Sequence, residues 1–408
     1  MAFTLSNRTI SKVGVIGSGQ IGPDIALYFT KVLAPFGVPI VVVDISDQAL
    51  AAGKKKVEKK VQKGVEAQAF KPDQAEAMLK NLTFTSDYEA LSGASLVVEA
   101  ATEDEKIKRK IMAQLESVLA KDAIIASNSS HMEPEVIFAE TKNPERTLVV
   151  HYFFPAERNI MVEVVPGKQT AKAVADWTMK FYENIGKVPI KIGSRYGYAI
   201  DPIFEGIFYV AAMGVEAGWG SVKQVDEMAK KALGLGVGPF TAMNLTGGNP
   251  ISNHGLDQYT TKINSWWRSP KILKDQLAKN APWETAGRDE KVEYTPEQYK
   301  KVADFMTGAY FGIVCEILDS GISNVGDLDM GVSTALVMKP PFTSMNELGV
   351  KESLRLVESY AKTQKNFHVS ESLKKQAATG KPWTIPVVFR EDRDGVALIT
   401  IRRPAVLA

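Results

Sequence analysis

The sequence predicts a doubly wound α/β domain followed by an all-α domain built from two repeated helical units, and three observations carry that expectation. Short apolar, β-branched runs alternate with segments of helical spacing from residue 13 to residue 192. Beyond residue 196 the β-branched runs stop, and 203–217, 222–234, 295–320 and 350–362 all have helical periodicity. The second half also repeats itself. Glu216-Ala-Gly-Trp, Val225-Asp226 and Pro239-Phe-Thr-Ala-Met-Asn244 return as Asp319-Ser-Gly-Ile, Leu328-Asp329 and Pro341-Phe-Thr-Ser-Met-Asn346, at an offset of 103 residues that becomes 102. A match that survives one deletion points to duplication. The expected bounds are 12–195 for the α/β domain, 196–292 and 293–378 for the helical units, and 379–408 for a linker and a hairpin.

The apolar run Val13-Gly-Val-Ile16 breaks into Gly17-Ser-Gly19-Gln20-Ile21-Gly22 before helical spacing resumes. Gly17 suits the tight turn out of a strand, Gly19 keeps side-chain atoms away from a pyrophosphate, and Gly22 lets the next helix lie close to the sheet. A second apolar run, 39–43, ends in Asp44, which is 22 residues past Gly22 and placed to accept from a ribose 2′-hydroxyl. An acid there disfavours a 2′-phosphate, so the expected cofactor is NAD rather than NADP. Strand, glycine turn, helix and acid together predict a Rossmann-type domain in which Gly17, Gly19, Gln20, Ile21, Gly22 and Asp44 hold the dinucleotide.

Composition narrows the partners. Lys plus Arg number 49 against 47 acids, which leaves no excess charge to attract nucleic acid. Cys315 is the single cysteine, so no intramolecular disulfide forms and a reducing, cytoplasmic setting fits. No stretch approaches 18 uninterrupted apolar residues and the N-terminus lacks a basic-then-apolar pattern, so neither a membrane span nor a signal peptide is expected. His131, His151, His254 and His368 show no ligand spacing, so no metal site is expected.

In chain order, 47–66 reads as a helix rich in lysine, whose Lys54, Lys55, Lys56, Lys59, Lys60 and Lys63 either form a solvated face or meet the phosphates of a nucleotide-bearing substrate. Residues 95–101 read as a buried strand and 103–118 as a helix. The strand 123–127 runs into Asn128-Ser-Ser130-His131, a polar cluster at the strand edge where open α/β sheets bind ligands. Strands at 147–152, 161–165 and 188–192 and a helix at 170–185 complete the domain. Between the repeats, Trp266, Trp267 and Trp283 suggest an irregular connection with aromatic packing. At the end, 387–401 forms two alternating segments around Asp394-Gly395, a hairpin signal, expected to bury its apolar face on its own chain or on a partner.

Oxidising an alcohol requires a group that takes the hydroxyl proton as hydride leaves carbon, and histidine suits that best near neutrality. His151 ends an apolar strand at the ligand edge. Glu163 stands alone in Met161-Val-Glu-Val-Val165, and a buried acid beside an imidazole would orient it and favour its protonated form. Ser130 could bond the substrate oxygen. Taken singly, each is better read as a core histidine, a strand acid or a turn serine; it is their combination behind a dinucleotide turn that points to catalysis.

Across roughly 12–378 the chain resembles the 3-hydroxyacyl-CoA dehydrogenase family. The family's Ser-Asn-Thr-Ser-Ser stands here as Ser127-Asn-Ser-Ser-His131, and its His-Phe-Phe-Asn-Pro…Val-Glu-Val as His151-Tyr-Phe-Phe-Pro155…Val162-Glu-Val164. The resemblance implies His151 as general base, Glu163 as its orienting partner and Ser130 on the substrate hydroxyl, with Glu103 and Asn128 near NAD. It also implies an acyl-CoA substrate, met by Asp201, Lys56 and Lys63, and a homodimer through the helical domain. Phe154 and Asp201-Pro202 depart from the family's asparagine and Asn-Arg. Asn would offer a donor where an ionised Asp201 only accepts. The departures leave open an oxidoreductase on a non-CoA hydroxy acid and a nucleotide-binding protein with little turnover. Residues 387–405 resemble the first hairpin of an enoyl-CoA hydratase, the order of a fused dehydrogenase-hydratase.

Overall fold

The computed structural model describes residues 3–247, 249–393 and 395–401; the turn residue Asp394 expected above lies outside them. The chain divides into two compact units, Met1–Ser194 and Arg195–Ala408.

The first unit opens with an antiparallel hairpin, β1 (Phe3–Leu5) and β2 (Arg8–Ile10). Then come β3 (Val13–Ile16), α1 (Gly22–Leu33), β4 (Ile40–Val43), α2 (Asp47–Glu66), α3 (Pro72–Lys80) and β5 (Leu82–Thr85). They are followed by β6 (Leu96–Glu99), α4 (Glu105–Val118), β7 (Ile124–Ser127), α5 (Pro134–Ile137), β8 (Thr147–Tyr152), β9 (Met161–Pro166), α6 (Lys172–Asn184) and β10 (Val188–Lys191). Eight strands form one sheet in the order β10-β9-β8-β7-β6-β3-β4-β5. From β5 to β8 all pairs are parallel, and the chain winds outward from β3 through β4, then returns to lie beside it as β6. That reversal opens a crevice at the carboxyl ends of β3 and β6, where doubly wound sheets take ligands. Every residue of β3, β4, β6 and β7 is buried, as helices on both faces of a parallel sheet require.

Two features depart from a plain alternation. The loop 153–160 turns the chain straight back, so β9 runs antiparallel to β8, with His151 opposite Glu163. At the other edge, α3 and β5 fill residues 72–85, for which the sequence carries no expectation. As an edge strand β5 is only partly buried and its Leu-Thr-Phe-Thr lacks a continuous apolar run. Helix α4 begins at Glu105 rather than 103 because Asp104 caps it, accepting from the Ile107 N–H (2.9 Å).

The second unit is the duplication made visible. The first copy comprises α7 (Ile200–Glu216), α8 (Val222–Leu233), α9 (Pro239–Thr246), α10 (Asn249–Lys262) and α11 (Lys271–Lys279). The second comprises α12 (Pro296–Asp319), α13 (Val325–Leu336), α14 (Pro341–Leu348), α15 (Val350–Thr363) and α16 (Glu371–Thr379). Their polar contacts match pair by pair. Asp226 caps α9 from the neighbouring helix, accepting from the Phe240 N–H (2.7 Å) and the Thr241 hydroxyl (2.6 Å); Asp329 does the same for Phe342 and Thr343 at 2.7 and 2.6 Å. Asn244 clasps the Trp283 backbone on both sides, and Asn346 clasps that of Trp383. Burial raises the pKa of both aspartates, with the hydroxyl and amide donors pulling the other way.

The structure alters three expectations here. The connection is irregular only in part: it contains α10 and α11, while Trp266, Trp267 and Trp283 stand in the non-helical stretches 263–270 and 280–295 and are core residues, as expected. Helical spacing is faint in α10, where Asn, Ser, His and Thr dilute the apolar face. The bonding pattern of the repeat continues to Trp383, inside the stretch that reads as a linker. The tail does form a hairpin, β11 (Val388–Arg393) and β12 (Val396–Ile401). Its apolar face does not bury on its own chain: Val396 is 66% and Ile401 65% exposed, since two strands without a third layer present both faces to solvent.

Candidate functional site

The carboxyl ends of β3, β4, β6, β7 and β8 bring the glycine turn, Asp44, Glu103, Asn128, Ser130 and His151 to one edge. Gly17 sits at φ +100°, and a Cβ there would fall 2.5 Å from the Ala100 carbonyl, so the turn passes directly over the chain leaving β6. A Cβ on Gly22 would come within 1.9 Å of the Gly17 carbonyl. Gly19 differs from both, since a Cβ there meets nothing within 4 Å. The space beside it is open, as an incoming diphosphate needs. Ser18, Gly19, Gln20, Ser46, Gly53 and Lys56 are among the residues lining a cleft of about 410 Å³ between this turn and α2. The Asp44 carboxylate accepts from the Ser18 N–H (2.7 Å) and the Ser46 N–H (2.9 Å). A carboxylate has about four lone-pair sites, so two bonds that fix its orientation leave acceptor capacity for ribose hydroxyls. These residues fit a dinucleotide without a 2′-phosphate.

The next layer of the edge is held by acids. Glu99, wholly buried at the end of β6, accepts from Lys108 Nζ (2.7 and 3.0 Å), the Ser127 hydroxyl (2.6 Å) and the Ala101 N–H (2.9 Å). This buried ion pair joins α4, β6 and β7, and the sequence reading passed over it. The signal was available: Glu99 is a lone acid at the end of an apolar run, as Glu163 is a lone acid within one. Glu103 accepts from the Ser129 hydroxyl (2.6 Å) and the Ser130 N–H (2.9 Å), tying the loop after β6 to the loop after β7. Asn128 Oδ1 accepts from the Tyr152 N–H (2.9 Å), one residue past His151. Glu103, Asn128 and Ser130 therefore form a connected set of loops.

His151 and Glu163 meet across the antiparallel ladder, with Nδ1 at 2.8 Å from Oε2. The histidine is 3% exposed and the glutamate fully buried. The Phe153 ring packs edge-on to the imidazole, centroids 4.6 Å apart. A carboxylate on Nδ1 makes that nitrogen the donor and leaves Nε2 with its lone pair.

The remaining expected residues are dispersed. Lys56 reaches the dinucleotide turn, donating to the Gln20 carbonyl (2.7 Å) and to Asp24 (3.0 Å). Lys63 is exposed in the last turn of α2. Asp201 belongs to the second unit, in the first turn of α7. Phe154 is 39% exposed on the loop after His151. Among the described residues no group of three or more His, Cys, Asp or Glu could hold a metal ion, and no helix is long and apolar enough to cross a membrane.

Comparison with known proteins agrees with this architecture. Residues 12–195 match the NAD-binding domain of 3-hydroxyacyl-CoA dehydrogenase. A 3-hydroxybutyryl-CoA dehydrogenase of Mycobacterium tuberculosis is 33% identical over 240 residues, 58% of this chain and 82% of that protein. The fatty acid oxidation complex subunit alpha of Colwellia psychrerythraea is 23% identical over 94% of this chain and 57% of its own length. The crystal structure of 3-hydroxybutyryl-CoA dehydrogenase from Escherichia coli K12 superposes with a TM-score of 0.78 at 19% identity, covering 91% of this chain and 99% of that one, which speaks to the fold. The first unit thus carries the NAD-binding domain, and the chain belongs to the 3-hydroxyacyl-CoA dehydrogenase family.

Proposed function

We propose that the protein oxidises (S)-3-hydroxyacyl-CoA to the 3-oxoacyl ester, and catalyses the reverse reduction, with His151 as general base. The observation that carries the reading is the His151–Glu163 contact at the ligand edge of an NAD-binding sheet. Glu163 holds the Nδ1 proton, so Nε2 carries the lone pair that takes the hydroxyl proton. As the O–H bond breaks, its electron pair becomes the new C=O bond and hydride leaves C3. Bound NAD supplies the acceptor for that hydride. The imidazolium formed is stabilised by the same carboxylate, as an ion pair in a water-poor site. Ser130 bonds the substrate oxygen, Glu103 and Asn128 line the cofactor side, and Lys56, Lys63 and Asp201 belong to acyl-CoA recognition. The proposal includes a homodimer through the helical unit and a cytoplasmic setting, for which the single cysteine, a buried free thiol, is the support.

The test is NADH formation with 3-hydroxybutyryl-CoA and longer esters. His151→Ala should lower turnover by about 10²- to 10⁴-fold, the usual worth of a general base, at unchanged NAD affinity. Near-normal turnover in that variant would remove His151 from the mechanism.

A further inference from the structure

The first unit carries a cluster of charges, its acids buried and its lysines half-buried, of which the proposed function uses only Lys56. Asp24, in the first turn of α1, is fully buried, yet it meets two ammonium groups: Lys56 Nζ at 3.0 Å and Lys60 Nζ at 2.8 Å. Lys60 also reaches Glu157 Oε1 at 2.5 Å. Glu157 lies in the loop 153–160 that joins His151's strand to Glu163's strand, and its side chain is 10% exposed. The same loop is held from its other side, where Lys187 Nζ, at the foot of β10, donates to the Ala156 carbonyl (2.7 Å) and the Asn159 carbonyl (2.6 Å) while lying over the Tyr28 ring.

These contacts look costly for a stabilising device. Taking several charges out of water exacts a desolvation penalty that their mutual attraction often fails to exceed, and apolar replacements of such clusters are frequently neutral or better. What the cluster does achieve is geometric. The loop makes its own turn, in which the Arg158 and Asn159 N–H groups donate to the Pro155 carbonyl, and it buries Ala156, but Phe154, Arg158 and Ile160 are exposed, so the lysine contacts are what tie its far half to the neighbouring helix and strand. It begins with Phe153, whose ring packs on the His151 imidazole. Two lysines pulling on its far half fix where that first residue can sit. Through Asp24 and Lys56 the same contacts reach the Gln20 carbonyl in the dinucleotide turn.

We propose that Lys60, clamped between Asp24 and Glu157, is a positioning residue for the reaction: together with Lys187 it fixes the 153–160 loop, and through Phe153 the orientation of His151, relative to the cofactor turn. The proposal rests on the reading of His151 as base. Lys60 does not touch substrate, and its effect is carried by the loop. Burial raises the Asp24 pKa, the two lysines opposing; burial also pushes Glu157 up, but Lys60 holds it below the usual carboxylate value. Asp24 and Glu157 are thus coupled through one shared ammonium.

The experiment compares Lys60→Met, Lys60→Arg and His151→Ala in the full chain by hydrogen–deuterium exchange over 153–160, steady-state kinetics and NAD titration. Lys60→Met should speed exchange in the loop and lower kcat by up to about 10²-fold, the scale of a misplaced reactive group. KM and NAD affinity should hold, and Lys60→Arg should recover most of the loss. Wild-type exchange in Lys60→Met, or a loop that loosens while kcat stays normal beside an inactive His151→Ala, would overturn the proposal. If His151→Ala itself stays active, the base assignment fails, and loop exchange in Lys60→Met then decides the clamp on its own.

Discussion

Replacing Lys108 with methionine should be among the most damaging single substitutions in the first unit. Lys108 is 1% exposed, and its ammonium sits at 2.7 and 3.0 Å from the two oxygens of a fully buried carboxylate. Methionine nearly preserves the volume, so little of the loss comes from a cavity. The cost comes from Glu99, left as an uncompensated buried charge, and breaking such a pair is worth about 3–5 kcal/mol. Two donors remain on Glu99, the Ser127 hydroxyl and the Ala101 N–H, so the lower end, about 3 kcal/mol, is expected. Pairing Lys108→Met with Glu99→Gln removes the stranded charge and should recover about 2 kcal/mol. Urea denaturation followed by far-UV dichroism on the wild type, both single variants and the double gives the cycle. A cost for Lys108→Met below about 1 kcal/mol, or a double variant no better than the single, would refute the reasoning.

Three other outcomes are expected. Asp44→Ala should weaken NAD binding and narrow the preference over NADP, read by titration with both cofactors; unchanged discrimination would mean that another residue reads the ribose. Val337 caps α13 at φ +50°, where Gly234 caps α8 at +62°, and its side chain is 65% exposed. Val337→Gly should therefore stabilise the chain by about 1 kcal/mol as a higher urea midpoint, because a branched side chain pays for a left-handed backbone. Finally, burial pulls the Lys187 ammonium down to about 7, with Glu157 opposing, against about 10.4 in an unfolded chain. Between these values the unfolded state binds more protons, so stability should rise as pH climbs from about 7 toward 10. Urea midpoints at several pH values should show that rise, and Lys187→Met should flatten it.

Much of the first unit was legible because parallel strands buried on both faces read as unbroken apolar runs. Val13–Ile16, Ile40–Val43 and Ile124–Ser127 declare themselves, and the glycines between them have no other economical use. The edge strand Leu82–Thr85 does not, since half-burial dilutes its pattern. Helices α2, α7, α8, α12 and α15 were plain from periodicity, whereas α10 hid behind polar residues whose partners are tertiary. The repeat was legible as letters, yet the shared cap of Asp226 and Asp329 on a following helix became clear only with the backbone folded. In the candidate site, Glu163 was found by asking what a lone acid does in a strand. Glu99 answers to the same question, and Lys108, buried on a charged helix with four-residue-spaced neighbours, could not be told from its solvated lysines. The Asp24–Lys60–Glu157 contacts join residues 36 and 97 positions apart, a separation at which sequence spacing carries no information.

The antiparallel return between β8 and β9 also governs which changes of chain length the candidate base and its partner can absorb. Were His151 and Glu163 separated by a crossover helix, their distance would depend on how that helix packs. Here it depends on a ladder in which Val149, Val150 and Tyr152 pair with Val165, Val164 and Val162 on either side of them. An inserted residue at the exposed positions of the 153–160 loop would leave that ladder untouched, whereas a slip of one position would send Glu163 through the sheet to its opposite face. Lineages of this fold can therefore lengthen and redecorate the loop beside the base while the carboxylate stays in place. Variation in length and variation in chemistry are thereby assigned to different segments only a few residues apart.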